Sequence, residues 1–337
     1  MGSNSRRVVV TQRFFEADSI AYLKQQGCEV VLIDPPAGKG DGDFSEDDLV
    51  AHLEDAAGWI VGHAHVTRAL LARLPKLKII SRRGVGYERV DATAVRDLGK
   101  VACIAVGGND ASVADHTLAL MLGVGHRLRE TQSNMLHGNW SILPGNDLYR
   151  RTVGVIGLGR IGRAVVQRLR GFEAEILALS ARRDESCAAR EGIAYADLAT
   201  LLERSDYVTI HAPLTPATRH MINAEALSRM KPTAYLINTA RGGLVDDRAL
   251  LAALEAKEIA GAALDVFESE SDPSLQAVTE ALVALPNVIA TPHAAASSRE
   301  GLARTNMIAA RNVVTVLDGA DPPSACVVAD GRAAPTR

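Results

Sequence analysis

Val155-Ile-Gly-Leu-Gly-Arg-Ile-Gly162 decides how this chain is read. The apolar run Thr152–Ile156 leads into it, and a helix-compatible segment, Arg160–Arg170, follows. Strand, glycine turn and helix in that order suit the pyrophosphate of a dinucleotide. Gly157 is expected to make the tight turn. Gly159 lets the backbone approach the phosphates, and Gly162 lets helix pack on strand. Arg160 and Ile161 then open a helix whose N-terminus faces the anion.

Outward from this motif the chain alternates short β-rich runs with helical patterns. Before it the runs are Val8–Val10, Val30–Ile33, Trp59–Val61, Ile79–Ser81 and Val101–Ala105. Helix candidates between them are Phe15–Gln26, Asp47–Ala56, Arg68–Leu74 and Ala92–Leu98. Ser45 and Thr67 stand where N-caps belong, and Asp48 completes an approximate capping box with Ser45. From the motif onward the strand candidates are Val153–Ile156, Glu175–Ser180, Tyr207–His211, Ala234–Asn238, Ala262–Asp265 and Val288–Ala290. Asp197 and Asp246 are the expected caps of two later helices. Such alternation implies parallel sheets covered by helices. Two longer helical patterns, Ser112 to about Arg129 and Ser297–Leu317, are expected to bridge two domains with a cleft between them. The polar stretch Gln132–Asn146 reads as an excursion suited to an oligomer arm.

Composition narrows the classes. With 337 residues, two domains are expected rather than one. A hydrophobic content of 47% and a charged content of 23% describe an ordinary globular protein. A net charge of -3 and an aromatic content of 4% give no case for nucleic acid or for a membrane surface. No apolar run is long enough to span a bilayer. Met1–Arg7 is polar and lacks the core of a signal peptide, and Arg6 stands where a myristoylation signal needs Ser or Thr. The cytoplasm is the default location. Cys28, Cys103, Cys187 and Cys326 are far apart, without CxxC or clustered Cys/His spacing, so no metal site is expected.

The chemistry gathers at strand ends. Strand Ala234–Asn238 runs into Thr239-Ala-Arg-Gly-Gly243, and ligands of open α/β sheets bind beyond the carboxyl ends of strands. Arg241 can grip a carboxylate there, or be a surface arginine in a glycine-rich turn. The next strand ends in Asp265-Val-Phe-Glu-Ser-Glu270, and the last in Thr291-Pro-His293. An Arg, carboxylates and a His thus reach one sheet edge. A carboxylate beside a histidine raises its pKa and fixes its tautomer, which suits acid/base work.

These motifs, with Arg83-Gly-Val-Gly-Tyr87, Val113-Ala-Asp-His-Thr117 and His211-Ala-Pro-Leu-Thr215, make the chain resemble the D-isomer-specific 2-hydroxyacid dehydrogenase family from about Val8 to Gly319. That resemblance implies an α/β protein of two doubly wound parallel-sheet domains. One is a flavodoxin-like substrate domain (residues 1–105 and 294–337) and the other a Rossmann cofactor domain (106–293). It implies hydride transfer between a nicotinamide and a small 2-oxo or 2-hydroxy acid. Arg241 would bind the substrate carboxylate, His293 would be the acid/base, and Glu270, five residues beyond Asp265, would hold it. Asp265 would contact the nicotinamide carboxamide. His211, Ala212, Pro213, Thr218, Thr239, Ala240 and Ala295 would complete the cofactor site, and His63, Val85 and Gly86 would meet the substrate. A homodimer through residues 112–150 is also implied.

Three departures matter. Family members using NAD usually carry Asp at the end of the second Rossmann strand, but here Ser180 stands there, followed by Arg182 and Arg183. Losing the carboxylate removes repulsion toward a 2′-phosphate, and arginines can bind one. NADP(H) is therefore the expected cofactor, with NAD(H) the alternative if Asp184 takes the ribose. No proline follows Glu270, which leaves Glu268 as a fallback for its role. Asp115 replaces a glutamate common in the Val-Ala-Glu motif. A glyoxylate/hydroxypyruvate-type reductase is the leading function. A D-3-phosphoglycerate-type dehydrogenase and a dinucleotide-sensing interaction protein resembling the C-terminal binding proteins are the alternatives.

Overall fold

The computed structural model describes residues 6–35 and 38–332. The first five residues of the stretch read for targeting signals lie outside it. The chain divides into two compact units: Met1–Asn109 with Ser297–Arg337, and Asp110–Ala296. These boundaries fall a few residues after the expected ones at 105/106 and 293/294.

The first unit opens with β1 (Arg7–Val10), α1 (Ala17–Gln25), β2 (Glu29–Leu32), α2 (Glu46–Leu53), β3 (Gly58–Val61), α3 (Arg68–Ala72), β4 (Ile79–Arg82), α4 (Ala92–Asp97) and β5 (Val101–Ile104). The second comprises α5 (Asp110–Gly125), α6 (Leu128–Leu136), β6 (Thr152–Ile156), α7 (Arg160–Leu169), β7 (Glu175–Leu179), α8 (Glu185–Glu191), β8 (Ile193–Tyr195), α9 (Leu198–Arg204), β9 (Tyr207–Ile210), α10 (Ala224–Ser228), β10 (Tyr235–Asn238), α11 (Asp247–Glu255), β11 (Gly261–Leu264), α12 (Gln276–Ala284) and β12 (Val288–Ala290). The chain then returns to the first unit with α13 (Arg299–Leu317) and β13 (Val327–Asp330).

The first sheet has the order β13-β5-β4-β3-β1-β2, parallel except for the β13 edge, and the second is β12-β11-β10-β9-β6-β7-β8, parallel throughout. These are flavodoxin-like and Rossmann orders. Both faces of each sheet are covered, which is why the strands read as apolar runs. On β1, Val8 and Val10 pack with Ile60, Ala309 and Val313, whereas Val9 faces the other way toward Trp59, Leu53 and Leu70.

Caps start the helices where the sequence places them. Ser45 Oγ accepts from Asp48 N at 3.1 Å while the Asp48 carboxylate accepts from Ser45 N. Thr67, Asp197 and Asp246 each cap their helix through the side-chain oxygen. Four expectations are corrected. The single helix from Ser112 to Arg129 is two, because Gly125 sits where a Cβ would strike the Tyr207 hydroxyl at 2.3 Å, and Arg127 takes a left-handed φ of 53°. The second sheet has a seventh strand, β8, whose three residues carry too short a pattern to read. The first gains the antiparallel β13, irregular against Cys103. The two long helices each lie within one unit, α5 in the second and α13 in the first. Among the described residues no helix is long and apolar enough to cross a membrane.

Ser298 Oγ accepts from Gly301 N at 2.9 Å and so caps α13, which buries Ala309, Ala310 and Val313. Ser298→Ala should lower the stability of the first unit by about 1 kcal/mol, read by urea denaturation. An unchanged midpoint would show that the cap contributes nothing.

Candidate active site

Three glycines shape the turn after β6, each for a different reason. Gly157 has a φ of 96°, and a Cβ there would come within 2.6 Å of the Ala212 backbone. Gly159 has no atom within 4 Å of where its Cβ would stand, so space lies open at the helix N-terminus. A Cβ on Gly162 would lie 2.1 Å from Gly157 O, so helix and strand are packed backbone to backbone. No side chain caps α7, which leaves its first N–H groups directed at that space. Ile161 is half-buried behind the turn, and Arg160 Nε donates to Asp110 at 2.7 Å. The donors and the open volume fit a pyrophosphate.

At the end of β7, Ser180 Oγ donates to Arg182 O at 2.8 Å and folds the loop. Arg182 and Arg183 are exposed, and the Arg183 guanidinium lies 5.3 Å from the Tyr195 ring centre. Asp184 has other work. It caps α8 through Cys187 N at 3.0 Å and accepts from Ser186 Oγ at 2.8 Å and Arg163 at 3.0 Å. These bonds hold its carboxyl down at about 2. Beyond β9, burial pushes the His211 imidazole down to about 3, so it is neutral, and its Nε2 meets Thr209 Oγ1 at 3.0 Å. Thr218 Oγ1 donates to Pro213 O at 2.7 Å and ties Ala212 and Pro213 into one loop.

The three adjacent strands β10, β11 and β12 deliver the remaining groups. Asn238 at the end of β10 donates to Arg241 O at 2.8 Å and accepts from Ala240 N at 3.0 Å, which sets the turn. Thr239 is buried against Thr117 at 3.0 Å. Arg241 Nη1 donates to Ala240 O at 2.7 Å. The next residue must be glycine, because a Cβ on Gly242 would fall 2.2 Å from the Phe267 carbonyl carbon. That contact presses the Arg241 turn against the turn that carries Glu268–Glu270.

Glu270 Oε2 and His293 Nδ1 lie 2.6 Å apart, and Phe267 N donates to the other Glu270 oxygen at 2.9 Å. Burial pushes the Glu270 carboxyl up, but the His293 bond and charge, the Phe267 N–H and the Arg241 charge outweigh it and hold it lowered. The sign follows: the bonds of ionised Glu270 are present above the ordinary carboxylate range and are lost as pH falls through its lower folded value. Glu268, the fallback, is elsewhere. It is buried and meets His220 at 2.6 Å and Arg219 at 3.3 Å; its carboxylate accepts from Asp247 N at 3.2 Å, and its own N–H donates to the Asp247 carboxylate at 2.9 Å. Burial pushes the Asp247 carboxyl up to about 7. The part played by His220 and Asp247 was not read from sequence. The only signal was a pair of carboxylates beside two motifs, which on burial needs a cation.

Asp265 is fully buried and accepts from Thr291 Oγ1 at 2.5 Å, Ala294 N at 2.8 Å and Ala295 N at 2.9 Å. It holds the loop on which His293 adopts a φ of 52°. Asp115 pairs with Arg168 at 2.5 Å, between α5 and α7. In the first unit, His63 is exposed at the end of β3, and half-buried Val85 and buried Gly86 follow β4.

Fold and turn together define a Rossmann-type dinucleotide-binding protein with an arginine and a glutamate–histidine pair at neighbouring strand ends. Residues 118–295 match the family described as D-isomer specific 2-hydroxyacid dehydrogenase, NAD binding domain. A D-3-phosphoglycerate dehydrogenase of Methanocaldococcus jannaschii is 37% identical over 317 residues, covering 93% of this chain but only 58% of that protein. A glyoxylate reductase of Thermofilum pendens is 36% identical over 328 residues, 95% of this chain and 94% of that one. The solved structure of the TT0316 protein from Thermus thermophilus is similar with a TM-score of 0.85 at 32% identity, covering 96% of this chain and 99% of that one. The chain belongs to the D-isomer specific 2-hydroxyacid dehydrogenase family, a family of NAD-binding oxidoreductases.

Glu270→Gln removes the charge while keeping the shape. It should lower kcat about 100-fold and move the alkaline limb of the 2-oxo-acid reduction profile to lower pH, because a neighbouring carboxylate favours a protonated imidazole. An unchanged profile with unchanged kcat/KM would take Glu270 out of the reaction.

Proposed function

We propose that the chain reduces small 2-oxo acids of the glyoxylate or hydroxypyruvate type to D-2-hydroxy acids, with NADP(H) as its preferred cofactor. The pairing of His293 with Glu270 beside the Arg241 turn carries this reading. In the reducing direction the bound nicotinamide supplies the hydride. His293 uses Nδ1 toward Glu270, so Nε2 is the nitrogen that gives its proton to the substrate oxygen. Glu270 fixes the ring's orientation and tautomer. Arg241, whose Nη1 donates to Ala240 O, grips the carboxylate and offsets charge on the oxygen. We assign the pyrophosphate to Gly157, Gly159, Arg160, Ile161 and Gly162. His211, Ala212, Pro213, Thr218, Thr239, Ala240, Asp265 and Ala295 line the rest of the dinucleotide. His63 and the Val85–Gly86 turn hold the substrate on the first unit. Four unpaired, buried cysteines fit a reducing compartment such as the cytoplasm.

Support for NADP(H) lies in the loop after β7. The carboxylate that could clasp ribose hydroxyls, Asp184, is committed to capping α8 and to Arg163, while Arg182 and Arg183 stand exposed beside Ser180. Steady-state kinetics should give a kcat/KM about tenfold or more higher with NADPH than with NADH, and Arg182→Ala should narrow the gap. A preference for NADH would overturn the assignment. The M. jannaschii relative's name keeps a phosphoglycerate-type activity as the second reading, although this chain spans 58% of that protein's length.

We also propose a homodimer through residues 112–150. Leu136, Trp140 and Ile142 are 76%, 78% and 90% exposed within a few residues of one another, more apolar surface than a lone chain leaves in water. Sedimentation should give a dimer for the native chain and a monomer for Trp140→Asp/Ile142→Asp. A native monomer would refute it.

A further inference from the structure

We propose that His116 and Thr117, adjacent on α5, are positioning residues for the two reacting turns of the second unit. His116 sets the turn that carries His293, and Thr117 sets the turn that carries Arg241. The inference rests on the roles proposed for Arg241 and His293 and deepens them.

α5 is an apolar helix packed against the sheet of its own unit. It buries Val113, Ala114, Leu118, Leu120 and Met121, and a Cβ on its Gly123 would fall 2.9 Å from the Ile289 side chain of β12. A polar side chain on such a helix costs free energy unless it is bonded. Here the two polar neighbours are bonded to two different strand ends. Adjacent residues of a helix point about 100° apart, so their side chains diverge. They reach the ends of β10 and β12, which have β11 between them and so lie about 10 Å apart.

His116 Nε2 lies 3.0 Å from Thr291 Oγ1 and 3.6 Å from Asp265 Oδ1. Thr291 has one hydroxyl proton and gives it to Asp265 at 2.5 Å. Its oxygen therefore accepts from His116, which puts the imidazole proton on Nε2. Thr291 stands two residues before His293, and Ala294 N and Ala295 N after it donate to the same Asp265 carboxylate. Asp265 thus holds the chain on both sides of His293, and His116 braces Thr291 from the helix side. Thr117 repeats the arrangement two strands away. Its own proton goes to Val113 O at 2.7 Å, so its oxygen accepts from the Thr239 hydroxyl at 3.0 Å. Thr239 stands two residues before Arg241, between Asn238 and Ala240, whose bond shapes that turn. One helix therefore registers the arginine turn against the histidine turn. Precision of this kind matters, because a misplacement of about 1 Å costs on the order of 100-fold in rate.

Hydrogen exchange read by mass spectrometry follows the turns without turnover. His116→Leu, which fills the space without a donor, should speed exchange about tenfold over residues 291–295 and leave 239–245 unchanged. Thr117→Val should do the reverse. His116→Gln, whose amide nitrogen replaces the Nε2 donor, and Thr117→Ser should restore native exchange. Glyoxylate reduction with saturating NADPH should split the same way. His116→Leu should lower kcat about tenfold and move KM less than about threefold, whereas Thr117→Val should raise KM about tenfold and move kcat less than about threefold. In a His293→Asn background, His116→Leu should cost less than about twofold more, since it acts through that imidazole. Exchange that rises equally in both turns, or in neither, overturns the inference. Native kinetic constants in both variants overturn it as well, as does a full tenfold loss added to His293→Asn. If the exchange pattern holds but the native protein reduces no 2-oxo acid, or His293→Asn does so at the native rate, the catalytic reading fails and the anchoring stands. Should a first variant not fold, Thr239→Val and His116→Ala break the same two bonds and are held to the same outcomes.

Discussion

The carboxylate of Asp265 is the constraint on which the second unit's chemistry depends. Buried at the end of β11, it gathers a threonine hydroxyl and two backbone N–H groups from the chain after β12, while His293 N donates to the Asp265 carbonyl at 2.8 Å. A histidine with a left-handed φ is strained on its own. Four hydrogen bonds to one residue over-determine the loop, so the strain persists and the ring is delivered to Glu270. A charge placed fully inside the protein is tolerable only because each of its oxygens has donors.

Backbone contact does the same work on the neighbouring turn. Gly242 lets the turn after β10 rest directly on Phe267 and Glu268, and buried Glu268 and Asp247, bonded to each other and through Glu268 to His220 and Arg219, tie that turn down. Glu270 and Glu268 are two residues apart yet serve opposite ends: one faces His293, the other anchors the turn from inside. The arginine, the glutamate and the histidine are therefore placed by buried polar bonds and missing Cβ atoms rather than by apolar packing.

Much of this was legible in the residues. Strands buried on both faces read as apolar runs, and every strand expected from such a run is present to within about a residue at each end. Gly157, Gly159 and Gly162 announced their separate tasks because each has a distinct steric reason. The break after Gly125 was not legible, since it depends on Tyr207 and Asn146, which approach from far along the chain. The choice between Glu268 and Glu270 depended on which way a single tight turn faces. The anchors on α5 could not be read at all: a histidine and a threonine in an apolar helix look like packing until the fold sets them against Thr291 and Thr239.

The most direct test of the account is the substitution His293→Asn, with 2-oxo-acid reduction measured beside dinucleotide affinity by fluorescence titration. The account predicts that kcat/KM falls about 100- to 10,000-fold, the range of a lost general acid, while the dinucleotide still binds within a few-fold of its native affinity. Reduction at a near-native rate by a folded His293→Asn protein would contradict it.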